Sequence, residues 1–331
     1  MKAVLWTAYG SPDVLKLQNV AKPEPKDDEV LIRIRATTVP SGHCDMRRMS
    51  DAHWYTLAMR AYVGLRSPKR ITILGMEFAG EVEATGKAVT RFKAGDRVFG
   101  ATGFVGTGTY AEYICLPENP DGGAIAIKSA NVTDEEAAAV PVGGLEALHF
   151  LRQANIQPGQ RVLINGAGGT IGTFAVQLAK HFGATVTAVD SADKLDTLRT
   201  IGADRVVDYG QEDFTRSGET YDVILDIASR SPFARSLKTL APDGCYHIAN
   251  PSLAQRIRGR WAALTSGKHV VFGQSHPNSA DLEFLKALIE QSRLRSVIDR
   301  RFTLEHMVEA HRYVETGQKT GNVVISVDGG S

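Results

Sequence analysis

A run of glycines set between an apolar stretch and a helix-periodic one carries the most chemistry of any spacing in this chain. Arg161-Val-Leu-Ile-Asn-Gly-Ala-Gly-Gly-Thr-Ile-Gly172 places Gly166, Gly169 and Gly172 three apart, with Gly168 as an extra. It is not a literal GxGxxG, because Ile171 holds the slot of the last glycine counted from Gly166. The surroundings decide its meaning. Arg161–Asn165 reads as an apolar strand and Thr170–Phe182 as a helix with Ile171, Phe174, Ala175 and Leu178 on one face, ended by Gly183. Glycines at such a junction let the backbone turn sharply and let a pyrophosphate lie against the helix N-terminus. Alone, such a loop is an ordinary turn; between a strand and a helix it points to dinucleotide binding. Gly166, Gly168, Gly169, Thr170, Ile171 and Gly172 are the candidate contacts.

The next strand, Thr185–Val189, ends in Asp190. An acid there accepts hydrogen bonds from the adenosine ribose hydroxyls and repels a 2′-phosphate. At about 5 Å and an effective dielectric near 20, each unit of phosphate charge costs about 3 kcal/mol before screening. NAD(H) is therefore favoured over NADP(H). Two alternatives stay open: Lys194, one helical turn on, swings toward a phosphate, or Asp190 caps the following helix.

The elements that must hold these residues change character along the chain. Met1–Trp6, Glu29–Arg35, Glu77–Ala84 and Tyr110–Leu116 read as strands joined by glycine turns, a small barrel or sandwich. Between Met46 and Arg70 the pattern gives a long loop or short helices. Thr133 and Glu136 form a capping box, and Pro141 ends or kinks the alanine-rich helix it opens. Strands at Arg161–Asn165, Thr185–Val189, Arg205–Val207, Asp222–Asp226, Cys245–Ala249 and His269–Phe272 then alternate with helices. That alternation gives an α/β fold with a doubly wound parallel sheet of about six strands. Helices at Ala280–Ser292 and Leu304–Glu315 and a strand at Asn322–Val327 follow.

Composition narrows the function. The 331 residues carry 38 Lys+Arg against 37 Asp+Glu, a net charge of +1, which argues against a dedicated nucleic-acid binder. Cys44, Cys115 and Cys245 lie far apart, with no disulfide framework and no cysteine-rich zinc pattern. The first apolar run stops at Thr7, too short for a signal peptide, and no run suits a membrane span. A cytoplasmic protein with no membrane partner is expected.

Several motifs together resemble the medium-chain dehydrogenase/reductase superfamily, in its zinc-independent quinone oxidoreductase-like branch. They are Gly10-Ser-Pro-Asp-Val-Leu15, Gly75-Met-Glu-Phe-Ala-Gly80, Gly95-Asp-Arg-Val-Phe-Gly100, Ala137-Ala-Ala-Val-Pro141, Gly166–Gly172, Gly202-Ala-Asp204 and Gly321-Asn-Val-Val324. The resemblance covers nearly the whole chain. It implies a GroES-like, β-rich catalytic domain over 1–125, completed by 275–331, and a Rossmann dinucleotide-binding domain over 126–274, with the nucleotide in the cleft between them. It also implies a homodimer, formed if the edge strand His269–Phe272 pairs across a two-fold axis. Zinc members of the superfamily use a Cys and a His; aligning Asp45 puts Gly42 and Met76 at those positions, with Glu77 retained. His43 and Cys44 offer a pair that nothing completes, so no zinc is expected.

Without a Lewis acid, alcohol oxidation loses its usual stabilisation of the alkoxide, whereas reducing a quinone or an activated C=C needs only hydrogen-bond donors and a proton. The resemblance thus implies NAD(P)H-dependent reduction of a small-molecule quinone or enone. A metal-free alcohol or aldehyde oxidoreductase and a nucleotide-binding regulatory protein are the alternatives. Ser41, His43 and Asp45 stand where the family faces the nicotinamide and can orient substrate or move a proton, against ordinary turn and cap roles. Cys44 reads as a packed thiol. Tyr55 is a candidate phenol donor, against plain packing, and Tyr62 a weaker copy. By family position, Tyr209 meets the adenosine, and Ile227 and Ala228 the ribose. Asn250 and Phe272 fall near the nicotinamide, and Asn322 reaches the coenzyme from the tail.

Overall fold

A computed structural model describes residues 1–49, 56–103, 108–228, 231–249, 251, 254–259, 268–273 and 276–327. The chain divides into two compact units: Met1–Val142 with His276–Ser292 and Ser296–Ser331, and Gly143–Ser275 with Arg293–Arg295.

The first unit is β-rich. β1 (Lys2–Trp6) and β2 (Leu15–Asn19) form a hairpin-like pair, and β3 (Glu29–Thr38) lies within a larger sheet. In β3 the Val30, Ile32 and Ile34 face is buried, and Leu31 is buried too, while Arg33 reaches solvent. Two helices follow, α1 (Ser41–Arg48) and α2 (Thr56–Val63), then β4 (Glu77–Thr85), β5 (Arg97–Ala101), β6 (Tyr113–Pro117) and β7 (Ala124–Ile127). The capping box opens α3 (Asp134–Ala138), with Thr133 accepting from the Glu136 N–H, and Pro141 starts α4 (Pro141–Gln153).

The second unit holds β8 (Arg161–Asn165), α5 (Thr170–His181), β9 (Thr185–Asp190), α6 (Leu195–Thr200), β10 (Arg205–Asp208), β11 (Tyr221–Asp226), α7 (Phe233–Lys238), β12 (Leu240–Ile248), a short helix α8 over 254–259, and β13 (His269–Phe272). These six strands form one parallel sheet in the order β10-β9-β8-β11-β12-β13. The order reverses between β8 and β11, the place where such sheets bind ligands outside the strand ends. α9 (Ser279–Glu290), β14 (Ile298–Thr303), α10 (Met307–Glu315) and β15 (Asn322–Ser326) return to the first unit, whose main sheet runs β14-β15-β3-β4-β5-β7 with β6 against β3.

One expected boundary moves, and two elements appear that the sequence pattern did not mark. Residues 126–142 belong to the first unit, not the second, because α3 is tied there. Ser296 donates to the Glu136 carbonyl (2.7 Å), Ser326 to the Glu135 carboxylate (2.6 Å), and Arg301 pairs with Glu135. Ser41–Arg48 is a helix. Ser, Gly and Asp are poor helix formers, but burial of His43, Cys44 and Arg47 against α10 overrides them. β14 was not foreseen, since Asp299, Arg300 and Arg301 interrupt its apolar pattern, yet it pairs in parallel with β15.

Candidate functional site

In the second unit the chain leaves β8 through Gly166, whose φ of 85° lies in the left-handed region that glycine enters without strain. The Gly166 and Ala167 N–H groups both donate to the Val189 carbonyl (3.0 and 3.2 Å), and Gly169 N–H donates back to the Gly166 carbonyl (3.3 Å). The turn therefore docks on β9 before α5 begins. A Cβ at Gly172 would lie 2.4 Å from the Gly166 oxygen and 2.5 Å from the Ala167 oxygen, so packing of helix on loop demands glycine there. At Gly169 the nearest atom to such a Cβ is 3.6 Å away, and no side chain caps the first turn of α5. A helix head without a side-chain cap, fronted by a glycine with space before it, fits a dinucleotide pyrophosphate.

Asp190 and Lys194 stand behind that loop, only 6% and 7% exposed. Asp190 Oδ2 accepts from Gly168 N–H (2.7 Å) and Oδ1 from Ser191 N–H (2.9 Å), with Lys194 Nζ 3.3 Å from Oδ1. A Cβ at Gly168 would meet Lys194 Cδ at 2.5 Å and Asp190 Oδ2 at 3.0 Å. Asp190 is thus a brace for the glycine loop as well as a ribose candidate, and Lys194 is paired with it rather than reaching outward. Tyr209, 64% exposed, has its N–H on the Asp190 carbonyl (3.1 Å) and so stands beside the end of β9. Ile227 and Ala228 N–H groups donate to the Asn165 carbonyl (3.0 and 3.2 Å) and fold over the end of β8.

Two later candidates have contacts within their own units. Phe272 is half-buried against the core of its unit, and a Cβ at Gly259 would strike its ring. Asn322, expected to reach the coenzyme, is buried in the first unit and donates its side-chain amide to the Val297 carbonyl (3.2 Å), holding the start of β15. Asn250 and Tyr55 lie outside the described residues.

In the first unit the candidates on α1 point two ways. Ser41 and Asp45 are exposed, and Asp45 pairs with Arg48 at 2.7 Å. His43 is buried and lines a recess with Met46, Ile71, Ile73, Leu74, Gly75, Met76 and Gly103. Its Nδ1 accepts from Gly75 N–H (3.2 Å), which leaves the ring hydrogen on Nε2. Gly75 can aim its N–H this way only as glycine: its φ is 105°, and a Cβ would lie 2.2 Å from Thr109 Oγ1. Tyr110 packs edge-on against the ring. Burial pushes the His43 pKa down to about 4, so the imidazole is neutral near pH 7. Tyr62 is half-buried, and the Arg70 guanidinium lies over its ring.

Residues 26–122 match the family described as alcohol dehydrogenase GroES-like domain, and residues 201–325 that described as zinc-binding dehydrogenase. The chain is 33% identical over 339 residues to the quinone-oxidoreductase homolog, chloroplastic, of Spinacia oleracea, covering 98% of each. The solved quinone oxidoreductase of Coxiella burnetii matches with a TM-score of 0.87 at 31% identity over 99% of each chain. The chain belongs to the quinone oxidoreductase-like branch of the medium-chain dehydrogenase/reductase superfamily. It is also 30% identical to an NADPH-dependent alkenal/one oxidoreductase, chloroplastic, of Arabidopsis thaliana, covering 98% of this chain and 79% of that one. As a medium-chain dehydrogenase/reductase it is an oxidoreductase that works with a nicotinamide coenzyme. Among its described residues, no helix is long and apolar enough to cross a membrane.

The matched family's description implies zinc, and the described donor residues of this medium-chain dehydrogenase/reductase do not fit it. The described residues bring together no three His, Cys, Asp or Glu side chains able to hold a metal. His43 Nδ1 is committed to Gly75, and Cys44 Sγ lies 3.3 Å from His311 Nδ1, with burial pushing the thiol up to about 12. Glu77 is fully buried, its carboxylate accepting from the Thr38 hydroxyl and from Val142 N–H (2.8 Å). Burial raises its pKa from 4.5 to about 7, although those two donors and the Lys319 ammonium pull it down. Between these values the folded chain keeps a proton that the unfolded chain releases, so this group lowers stability as pH rises from 4.5 toward 7. The full swing is about 3 kcal/mol. Glu77→Gln is therefore expected to raise the melting temperature over wild type near pH 8 and to leave it nearly unchanged near pH 4; thermal unfolding at both pH values checks this.

Proposed function

We propose that this protein is a zinc-independent NAD(P)H oxidoreductase that reduces quinones or α,β-unsaturated carbonyls by hydride transfer. The observation that carries the reading is His43: a neutral imidazole in a small recess beside Met46, Ile71, Ile73 and Leu74, with its hydrogen fixed on Nε2. The two relatives named for quinone and for alkenal/one chemistry support it. Gly166, Gly168, Gly169, Thr170, Ile171 and Gly172 would hold the coenzyme pyrophosphate, with Asp190, Tyr209, Ile227 and Ala228 at its nucleoside portions. When bound, the reduced nicotinamide supplies a hydride to the electrophilic carbon of the acceptor. His43 Nε2–H donates to the acceptor oxygen, where negative charge develops, and apolar neighbours strengthen that hydrogen bond by excluding water. A neutral donor of this kind stabilises the anion without surrendering its own proton. Ser41 and Asp45, on the exposed face of the same helix, serve substrate orientation.

NAD(H) is the favoured coenzyme in this reading, because the Asp190 carboxylate at the end of β9 would repel a 2′-phosphate, although Lys194 at 3.3 Å offsets part of its field. We infer a cytoplasmic homodimer joined through β13, which among the described residues ends the parallel sheet of the second unit with one edge unpaired. Light scattering on the purified protein is expected to give twice the chain mass, and a monomeric mass at micromolar concentration defeats this arrangement. The catalytic reading is tested by oxidation of NADH and NADPH against a panel of enones, quinones, aldehydes and ketones in chelator-treated protein. Turnover with enones or quinones is expected; silence with both classes refutes it.

A further inference from the structure

At the point where the parallel sheet reverses its order, a carboxylate lies buried beneath the glycine loop. Asp226 ends β11 and is fully buried. Its Oδ1 accepts from Asn165 Nδ2 (2.8 Å), and its Oδ2 accepts from Ser231 Oγ (2.5 Å) and Tyr246 OH (2.7 Å). Asn165 ends β8 and Tyr246 lies in β12, so one side chain ties the ends of three neighbouring strands. The backbone adds to this. Ala249 N–H donates to the Asp226 carbonyl (3.2 Å), while Ile227 and Ala228 N–H groups close on Asn165. Gly166 follows Asn165 directly, and a Cβ on it would lie 3.0 Å from Ala228 N, so the first bend of the loop rests on the backbone that follows Asp226.

Each polar member breaks an otherwise apolar strand end, Leu163-Ile164-Asn165 and Ile224-Leu225-Asp226. For stability alone, apolar packing would do as well or better, because a buried polar group gains little beyond the cost of its desolvation. A satisfied polar network does what apolar packing does poorly, which is to fix one geometry. In a doubly wound sheet the ligand crosses this same reversal point.

We infer that Asp226 is a positioning residue for coenzyme binding: through Asn165, Ser231 and Tyr246 it fixes the floor on which the Gly166–Gly172 loop turns. This rests on the proposed placement of the coenzyme at that loop. Removing the charge or a donor lets the strand ends shift by a fraction of an ångström, and the loop loses its fit to a rigid pyrophosphate.

The test is titration of NADH and NADPH by fluorescence, with melting curves and steady-state kinetics on the same full-length preparations. Asp226→Asn is expected to raise the coenzyme Kd and KM about tenfold, with kcat at saturating coenzyme falling far less than KM rises. The exchange Asn165→Asp with Asp226→Asn restores the donor–acceptor pairing and is expected to bring Kd back to within about threefold of wild type. Tyr246→Phe and Ser231→Ala each remove one donor, raise Kd about threefold, and carry the test if Asp226→Asn does not fold. Folded variants with a lower melting temperature and an unchanged Kd would overturn the inference and leave the coenzyme site standing. Wild-type protein that binds neither coenzyme would overturn both.

Discussion

His43→Phe is expected to lower kcat for quinone and enone reduction by about 100- to 1,000-fold, the usual cost of one lost donor to a developing oxyanion. Phenylalanine preserves the ring that packs on Tyr110 and removes only the Nε2–H and the Nδ1 acceptor of Gly75 N–H. Coenzyme affinity, which we assign to the glycine loop of the other unit, is expected to stay within about twofold of wild type. His43→Gln keeps an N–H donor and is expected to recover part of the loss. Because burial holds the His43 pKa at about 4, the neutral donor is constant from mildly acidic to alkaline pH; as pH falls toward that value Nδ1 takes up a proton and the contact with Gly75 N–H is lost, while Nε2–H remains. Steady-state kinetics of the two variants across pH decide this. A His43→Phe enzyme within about threefold of wild type would remove His43 from the chemistry.

The second large effect concerns coenzyme choice. Asp190→Asn keeps an oxygen for Gly168 N–H but deletes the charge that faces Lys194. The kcat/KM ratio of NADPH to NADH is expected to rise about 10- to 100-fold, as Lys194 becomes an unopposed cation for a 2′-phosphate. Lys194→Met is expected to move the ratio the other way by leaving Asp190 uncompensated. Parallel measurement of both coenzymes settles it. Shifts in the same direction, or none in either variant, would show that the pair braces the loop without reading the phosphate.

This pairing also marks where sequence reading stops. The β8–loop–α5 junction was legible because period, glycine spacing and helix end all agreed, and its strand bounds match residue for residue. That Asp190 and Lys194 face each other was not legible: spacing places them one helical turn apart but cannot say whether either side chain turns inward. The same limit hid the tautomer of His43, which depends on Gly75 N–H arriving from a distant strand connection. Nor does the family position of Asn322 show that the Val297 carbonyl takes up its side-chain amide. The helix at Ser41–Arg48 escaped because its stability comes from tertiary burial rather than from its own residues. Asn165 and Asp226 did leave a signal, a polar residue closing a three-residue apolar run in each of two strands, which becomes informative only once the strand order is known.

The most direct check follows a hydrogen. Reduced coenzyme deuterated at the nicotinamide C4 position is incubated with metal-free protein and an α,β-unsaturated ketone, and the product is read by NMR. Deuterium at the β-carbon of a saturated ketone is the outcome this account requires. Coenzyme left unconsumed beside every enone and quinone, or turnover that appears only when zinc is restored, would contradict it.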